Sequence, residues 1–364
     1  MKILVLAPGY PDNHGDLGLA YIRTRNVYYK EKGVDVDVVN FCATEDYVID
    51  DINVYSLKGY INKLRNEFYD VLVCHAANIR YHYIFLKRFG YRFNKIVFFF
   101  HGHEVLKINK VYSKPYSFIK RNYLYENFQD IYDEFKFLIW RSYFKSNYRR
   151  IHFIFVSRWM KNQFDRWIKL KDKYLEGRYS ITYNSVGKIF QEECYNLKLE
   201  KKYDFITIRA FLDGSKYAID IVNNLAKLNP QRKFLLIGKG AFFNYYEKAE
   251  NIDWIDRRLD HKEMIDFLNA SKCALMPTRT DAQGVMMCEM ATFGIPLITS
   301  DIPVCHEVFD GFENVFLINN EKYDSNSLCN ALDNIKYLYN KPNKYFREKT
   351  CENEIEIMKK FISA

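Results

Sequence analysis

The sequence predicts an α/β protein of two domains, each a parallel sheet covered by helices on both faces. Short runs rich in Val, Ile and Phe alternate with helix-like stretches along nearly the whole chain, as successive βα units do. The runs show little polar alternation, as expected of strands buried on both faces. The 364 residues exceed one ordinary core but suit two, and 48% are hydrophobic, enough to fill both.

In the first half the expected strands are Ile3–Ala7, Asp35–Asn40, Val71–His75, Ile96–Phe100, His152–Val156 and Ser180–Tyr183. Helices over Leu17–Lys32 and Asn78–Phe89 fall between them. The opening strand carries one lysine and too short an apolar run for a signal peptide. Residues 107–150 break the rhythm, with no good strand, many Tyr and Phe and an excess of Lys and Arg. They read as a helical insertion on the first domain, with a helix from about Tyr116 to Tyr148; the functional alternative is an acceptor-binding or membrane-facing surface. Polar residues interrupt the apolar pattern across Ser185–Lys202, which divides a first domain (1–185) from a second (186–343). The second has strands at Asp204–Ile208, Lys233–Ile237, Asp253–Ile255, Cys273–Pro277, Ile295–Thr299 and Asn314–Ile318. The tail, 344–364, holds an amphipathic helix, Lys344–Ile362, placed to cross back to the first domain.

The net charge of +9 is uneven: residues 1–185 hold 30 Lys+Arg against 19 Asp+Glu (+11), and 186–364 hold 24 against 26 (−2). Such asymmetry suits an anionic partner of the first half: a membrane surface, a phosphorylated substrate or nucleic acid. The eight cysteines are scattered with no CxxC, which fits reduced thiols and not a disulfide framework or zinc site. No window approaches the roughly 18 uncharged apolar residues that span a bilayer. A cytoplasmic protein, at most peripheral on a membrane, is expected.

The chemistry centres on Thr278-Arg279-Thr280-Asp281-Ala282-Gln283-Gly284-Val285, which follows an expected strand and precedes a helix starting near Gly284. A helix N-terminus aimed into such a loop offers free N–H groups and a positive dipole end to a phosphate. Glu289 lies one to two turns into that helix, and the carboxyl end of a parallel strand is where doubly wound folds bind ligands. By spacing alone, two acids eight residues apart are equally two solvated carboxylates. Arg209 and Lys216, after the strand Asp204–Ile208, are placed to neutralise a departing diphosphate. Gly238-Lys239-Gly240 follows another strand end, and His101 and His103 stand at the end of Ile96–Phe100. Gly15 lies in the loop after the first strand, where glycine permits close backbone approach. Asp35-Val36-Asp37 has the D-x-D pattern of a metal site, but it opens a strand, where a solvated edge is expected.

Pro277-Thr278, Asp281, Gly284, Glu289, Gly294, Pro296 and Leu297-Ile298 together resemble the E-x7-E frame of glycosyltransferase family 4 and its retaining GT-B relatives. The resemblance covers nearly the whole chain outside 107–150 and implies two Rossmann-like domains facing a deep cleft. It implies that Glu289 binds the donor ribose, that Asp281 lies under the donor sugar, and that backbone amides at Gln283, Gly284 and Val285 hold sugar and phosphate. Arg209 and Lys216 would grip the pyrophosphate, Gly238 and Gly15 would lie against the donor, and His101 would contact the sugar. Backbone at Ile255 and Arg257 would meet the base. Asp281 is one methylene shorter than the family's Glu, and Ala282-Gln283 replaces its usual Gly-Phe. His75 is equally a satisfied core histidine.

The activity implied is metal-independent, retaining transfer from a UDP- or GDP-sugar to a saccharide or lipid-linked pyrophosphate acceptor, in bacterial surface polysaccharide or glycan assembly. It needs no cofactor. The basic first domain would face an anionic membrane, and nucleic acid is not an expected partner. The principal rival is a degenerate nucleotide-sugar or glycan-binding protein of the same fold. An NAD-dependent oxidoreductase is disfavoured because no G-x-G-x-x-G follows the first strand. A nucleic-acid binder would show steep salt dependence.

Overall fold

Apolar, β-branched runs flanked by helices leave a sheet nowhere to go but between two helical layers, and this chain builds two such sheets. A computed structural model describes residues 1–12, 18–120, 123–334, 336–337 and 340–364. It separates into two units: Met1–Ile108 with Gln129–Ser185 and Phe346–Ala364, and Asn109–Phe128 with Val186–Tyr345.

The first unit holds β1 (Lys2–Ala7), β2 (Asp35–Asn40), β3 (Tyr47–Ile49), β4 (Ile52–Tyr55), β5 (Val71–His75), β6 (Ile96–Phe100), β7 (Ile151–Phe155) and β8 (Tyr179–Ile181). They lie in the order β3-β4-β2-β1-β5-β6-β7-β8. Every pairing is parallel except β3 with β4. That hairpin is absent from the sequence reading. Asp50 and Asp51 form its turn, both with positive φ (53° and 57°), which matches the strand twist of a two-residue hairpin.

The second unit holds β9 (Tyr203–Phe211), β10 (Phe234–Lys239), β11 (Ile252–Ile255), β12 (Ser271–Leu275), β13 (Leu297–Ser300) and β14 (Val315–Ile318). Their order, β11-β10-β9-β12-β13-β14, is that of a dinucleotide-type doubly wound sheet. The strand order reverses between β9 and β12, and the crevice beyond their carboxyl ends is the expected ligand position.

Two segments depart from a simple division of the chain. The tail helix Arg347–Ser363 packs into the first unit, its Cys351, Ile355 and Met358 joining the core around β1 and β2. Residues 109–128, read from sequence as part of an insertion on the first domain, instead cluster with the second unit. Tyr116 is buried in that unit's core and donates to Asp220 at 2.9 Å. The rest of the insertion stays with the first unit. The helix Tyr123–Asn147 presses Trp140, Tyr143 and Phe144 onto Phe98 of β6, with ring centroids 5.1–6.3 Å apart.

Asp37 is a further correction. It is buried, and accepts from the Tyr69 hydroxyl at 2.9 Å and from Asn53 at 3.2 Å, so it is a structural anchor and not a solvated edge. Asp35 is exposed. No described helix is long and apolar enough to cross a membrane.

Candidate active site

In the second unit the chain leaves β12 at Pro277 and is at once tied down. Thr278 N–H donates to Ser300 Oγ (2.8 Å), which donates to Asn320 (2.6 Å), and Asn320 Nδ2 returns to the Thr278 carbonyl (3.0 Å). The Lys216 carbonyl accepts from Thr278 Oγ1 (3.0 Å) and from the Arg279 N–H (2.8 Å). Arg279 forms a two-pronged pair with Asp220 at 2.9 and 2.6 Å. Thr280 Oγ1 reaches the Val111 carbonyl at 2.9 Å, which gives residues 109–128 a local purpose. The loop is therefore rigid up to Asp281.

Asp281 stands half-exposed beyond those ties, and its Oδ1 accepts from the Ala282 and Gln283 N–H groups at 2.8 and 3.3 Å. Gly284 then takes a left-handed turn (φ 71°, ψ 63°) into the helix Val285–Phe293. A Cβ at Gly284 would meet the Met287 methyl at 2.1 Å and Asp281 Oδ2 at 3.4 Å, so the turn needs glycine. Gln283 is buried beside Cys288, and Val285 is the first helical residue.

Arg209 reaches this loop from the end of β9. Its Nη2 donates to the Pro277 carbonyl at 2.7 Å, and its Nε is buried without a described partner. Burial lowers the pKa of this guanidinium, opposed first by the Asp281 carboxylate. An arginine with spare donors in a low-dielectric site has most to gain from an anion. Lys216 sits in the turn Ser215–Tyr217, its ammonium 4.7 Å over the Tyr217 ring, and it is paired with no described carboxylate. The structure thus brings Arg209, the Lys216 turn, Asp281 and the helix start together at the switch point.

Glu289 is buried on that helix. One oxygen accepts from the Gly187 N–H at 3.1 Å, and the other carries no described hydrogen bond. Burial raises its pKa, against the charge of His261 and the Gly187 bond. Gly187 and His261 were missed by sequence reasoning. A Cβ on Gly187 would lie 3.0 Å from His261 Cε1 and 3.3 Å from Glu289 Oε1, and only the Val-Gly step after Asn184-Ser185 hinted at it.

Residues 192–350 match the family model of the glycosyl transferases group 1. O-antigen biosynthesis glycosyltransferase WclY of Escherichia coli is 27% identical over 167 residues, 46% of this chain and 44% of that protein. The chain thus spans less than half the length of that relative. Sucrose-phosphate synthase of Thermosynechococcus elongatus has a similar structure (TM-score 0.71, 13% identity, covering 100% of this chain and 99% of that one). So has WaaG, a glycosyltransferase involved in lipopolysaccharide biosynthesis (TM-score 0.62, 13% identity, 98% and 99% covered). The two sheets accordingly form the GT-B fold of these glycosyltransferases. The switch-point residues all lie inside the group 1 match.

The other residues picked from sequence fall as follows. At Gly238 of β10 a Cβ would lie 2.2 Å from the Arg209 carbonyl oxygen of β9, so its glycine is demanded by strand packing. Asp213 caps the next turn by accepting from the Ala241 N–H at 2.8 Å. Ile255 ends β11 and its carbonyl accepts from Arg257 N–H at 2.9 Å; the Arg257 side chain pairs with Glu263 at 2.7 Å on the surface. Gly15 lies outside the described residues.

In the first unit, His101 Nε2 and His75 Nδ1 are 3.0 Å apart, and His75 stacks on Phe99. His75 is wholly buried, as a core histidine would be, yet its ring orients His101. Burial holds both pKa values well below the usual imidazole range, helped for His75 by His101 and for both by Arg25. Both rings are therefore neutral near pH 7. Glu104 accepts from the N–H groups of His101 (2.9 Å) and Gly102 (2.6 Å), so its carboxylate is consumed within the turn, while His103 is exposed.

Proposed function

We propose that this protein is a retaining, metal-independent glycosyltransferase that moves a sugar from a UDP- or GDP-sugar to a saccharide or lipid-linked pyrophosphate acceptor. The work proposed for it is bacterial surface polysaccharide or glycan assembly, in the cytoplasm or peripherally at the inner face of the membrane. The observation that carries the reading is the buried Arg209, with an unpaired Nε, beside Asp281 at the N-terminus of the helix bearing Glu289.

In this reading the free Glu289 oxygen accepts from the ribose hydroxyls, while amides at Gln283, Gly284 and Val285 face the diphosphate and donor sugar. The bond from the anomeric carbon to the diphosphate oxygen breaks, and its electron pair leaves on the diphosphate. Arg209 and Lys216 stabilise that charge. The acceptor oxygen bonds to the same carbon on the same face, and its proton passes to the departing phosphate oxygen. Asp281 offsets positive charge on the ring, and His101 supplies a neutral imidazole to the sugar. Gly15 and Gly238 belong to the donor surroundings, and backbone at Ile255 and Arg257 to those of the base.

One observation favours a second reading, a nucleotide-sugar binder without turnover. The shorter Asp281 turns one oxygen back onto its own loop amides. A thermal-shift screen against UDP-, GDP-, ADP- and CMP-sugars, followed by assay of nucleotide release, separates the two. Stabilisation with release above buffer hydrolysis supports transfer. Stabilisation without release, across acceptors, supports the binder, and no stabilisation by any donor sinks both.

A further inference from the structure

The helix Tyr123–Asn147 has a second face that the fold does not use. Its inner side carries Lys136, Phe137, Trp140, Tyr143 and Phe144, all buried. On the opposite side, Ile131, Phe135 and Leu138 are 67%, 58% and 57% exposed, with Tyr132 on the flank at 45%. At 100° per residue the first three lie within about 60° of one another, and the same line continues to Ser142 and Lys145. Contiguous exposed apolar residues of this size mark an interaction surface more often than chance.

Where the stripe ends, a recess of about 540 Å³ opens, lined by Ser142, Lys145, Ser146, Tyr148, Lys173 and Tyr174. The Tyr148 and Tyr174 rings meet edge-on at 5.0 Å. Arg178 and Arg149 lie 5.3 and 5.8 Å from the Tyr148 ring centroid, and Arg149 Nε donates to its hydroxyl at 3.3 Å. Lys145, Arg149, Lys173 and Arg178 form no ion pair with any described carboxylate. Asp172 and Glu176 share the adjoining loop but pair with none of them, and Glu134 on the helix flank is taken by Lys107 at 2.6 Å. Four unpaired cations beside hydroxyls and rings suit phosphate oxygens. The recess lies before β7 and β8, at the sheet edge opposite the strand ends that carry His75 and His101.

We propose that this helix face and the recess at its end dock the first unit on an anionic lipid bilayer. Lipid phosphates occupy the recess, and Ile131, Phe135 and Leu138 enter the headgroup–acyl boundary. Charge complementarity selects this occupant: the first unit, with 30 Lys+Arg against 22 Asp+Glu (+8), and the four unpaired cations match an anionic leaflet, and the adjoining apolar stripe gives lipid, unlike a soluble phosphate, a second hold. The proposal deepens the lipid-linked acceptor reading and rests on it for its purpose.

The test is co-sedimentation of the full chain with phosphatidylcholine vesicles and with vesicles containing roughly one third phosphatidylglycerol. Wild type should pellet with the second only, and less as salt rises. Lys145→Glu/Lys173→Glu and Phe135→Ser/Leu138→Ser should each lower the apparent affinity about tenfold or more. All these positions are on the surface, and an unchanged thermal midpoint verifies folding. Absence of wild-type binding, or wild-type affinity in either double variant, overturns the proposal. Self-association lost in Phe135→Ser/Leu138→Ser without vesicle binding also overturns it, and names a second copy as the occupant. The donor-sugar thermal shift is read separately, so failure of docking and failure of the transferase reading remain distinct.

Discussion

Arg209 shows how one side chain binds a strand to a function. Its backbone is in β9, its carbonyl crowds Gly238, and its guanidinium spans to Pro277. Gly238→Ala should therefore act on structure first. A methyl 2.2 Å from a backbone oxygen forces β9 and β10 apart. A loss of about 2–4 kcal/mol is expected, read as a thermal midpoint lower by roughly 5–15 °C. Glu289 and Arg209 should separate in kinetics. On the proposed reading, Glu289→Ala removes the acceptor for the donor ribose and should raise the nucleotide dissociation constant about 10–100-fold by calorimetry. Arg209→Lys keeps a charge but loses the planar donors, and should lower kcat about 100-fold with a smaller change in nucleotide affinity. Equal effects on binding and turnover in both variants would contradict this division. The placement of these residues at strand ends and on one helix was legible because loop and helix-start signals are local in sequence. Gly187 and His261 were not, because they reach Glu289 from 102 and 28 residues away along the chain.

At the scale of elements, the tail helix Arg347–Ser363 joins its apolar core face to one buried ion pair. Glu354 faces Arg25 at 3.1 Å, both side chains wholly inaccessible, and also accepts from Tyr29 at 2.5 Å and Thr182 at 3.0 Å. Glu354→Ala strands the Arg25 charge, and denaturant unfolding should show a loss of about 3–5 kcal/mol. A loss below about 1 kcal/mol would mean that the helix is held by its apolar face alone. The amphipathic pattern announced this helix, and not the carboxylate that anchors it. The twelve strands read from sequence are all present, within a residue or two at their ends except β9, which runs three residues past Ile208 and so includes Arg209. The missed β3–β4 hairpin is short and lies at a sheet edge, and Asp-Asp is a weaker turn signal than Asn-Gly.

At the scale of the whole molecule, the histidines depressed by folding all lie in the first unit among the described residues. His75 and His101 are held well below the usual range by burial, and His82 and His152, also chiefly by burial, to about 4. For a histidine depressed on folding, the unfolded chain binds the proton first. Stability is thus fully present above the unfolded value near 6.5 and is lost as pH falls below it, by about 1.4 kcal/mol per pH unit per residue. Glu104, raised by burial, offsets part of this loss. The thermal midpoint should fall between pH 7 and pH 5, and His82→Asn/His152→Asn should flatten the slope. A midpoint independent of pH over that range would show that these rings take up protons without unfolding.

By itself, the sequence determined the α/β class, the near-complete list of strands and the Asp281–Glu289 frame. Hydrophobic periodicity and strand-end chemistry are local, and local patterns survive in a linear string. Tertiary structure alone decided that residues 109–128 serve the second unit, that Asp37 and Glu104 are consumed by nearby donors, and that His75 orients His101. It also decided that Glu289 keeps one oxygen free while Asp281 turns one back onto its own loop. Each of these depends on which groups meet across long stretches of chain, and burial sets the strength of those meetings only once the chain has folded.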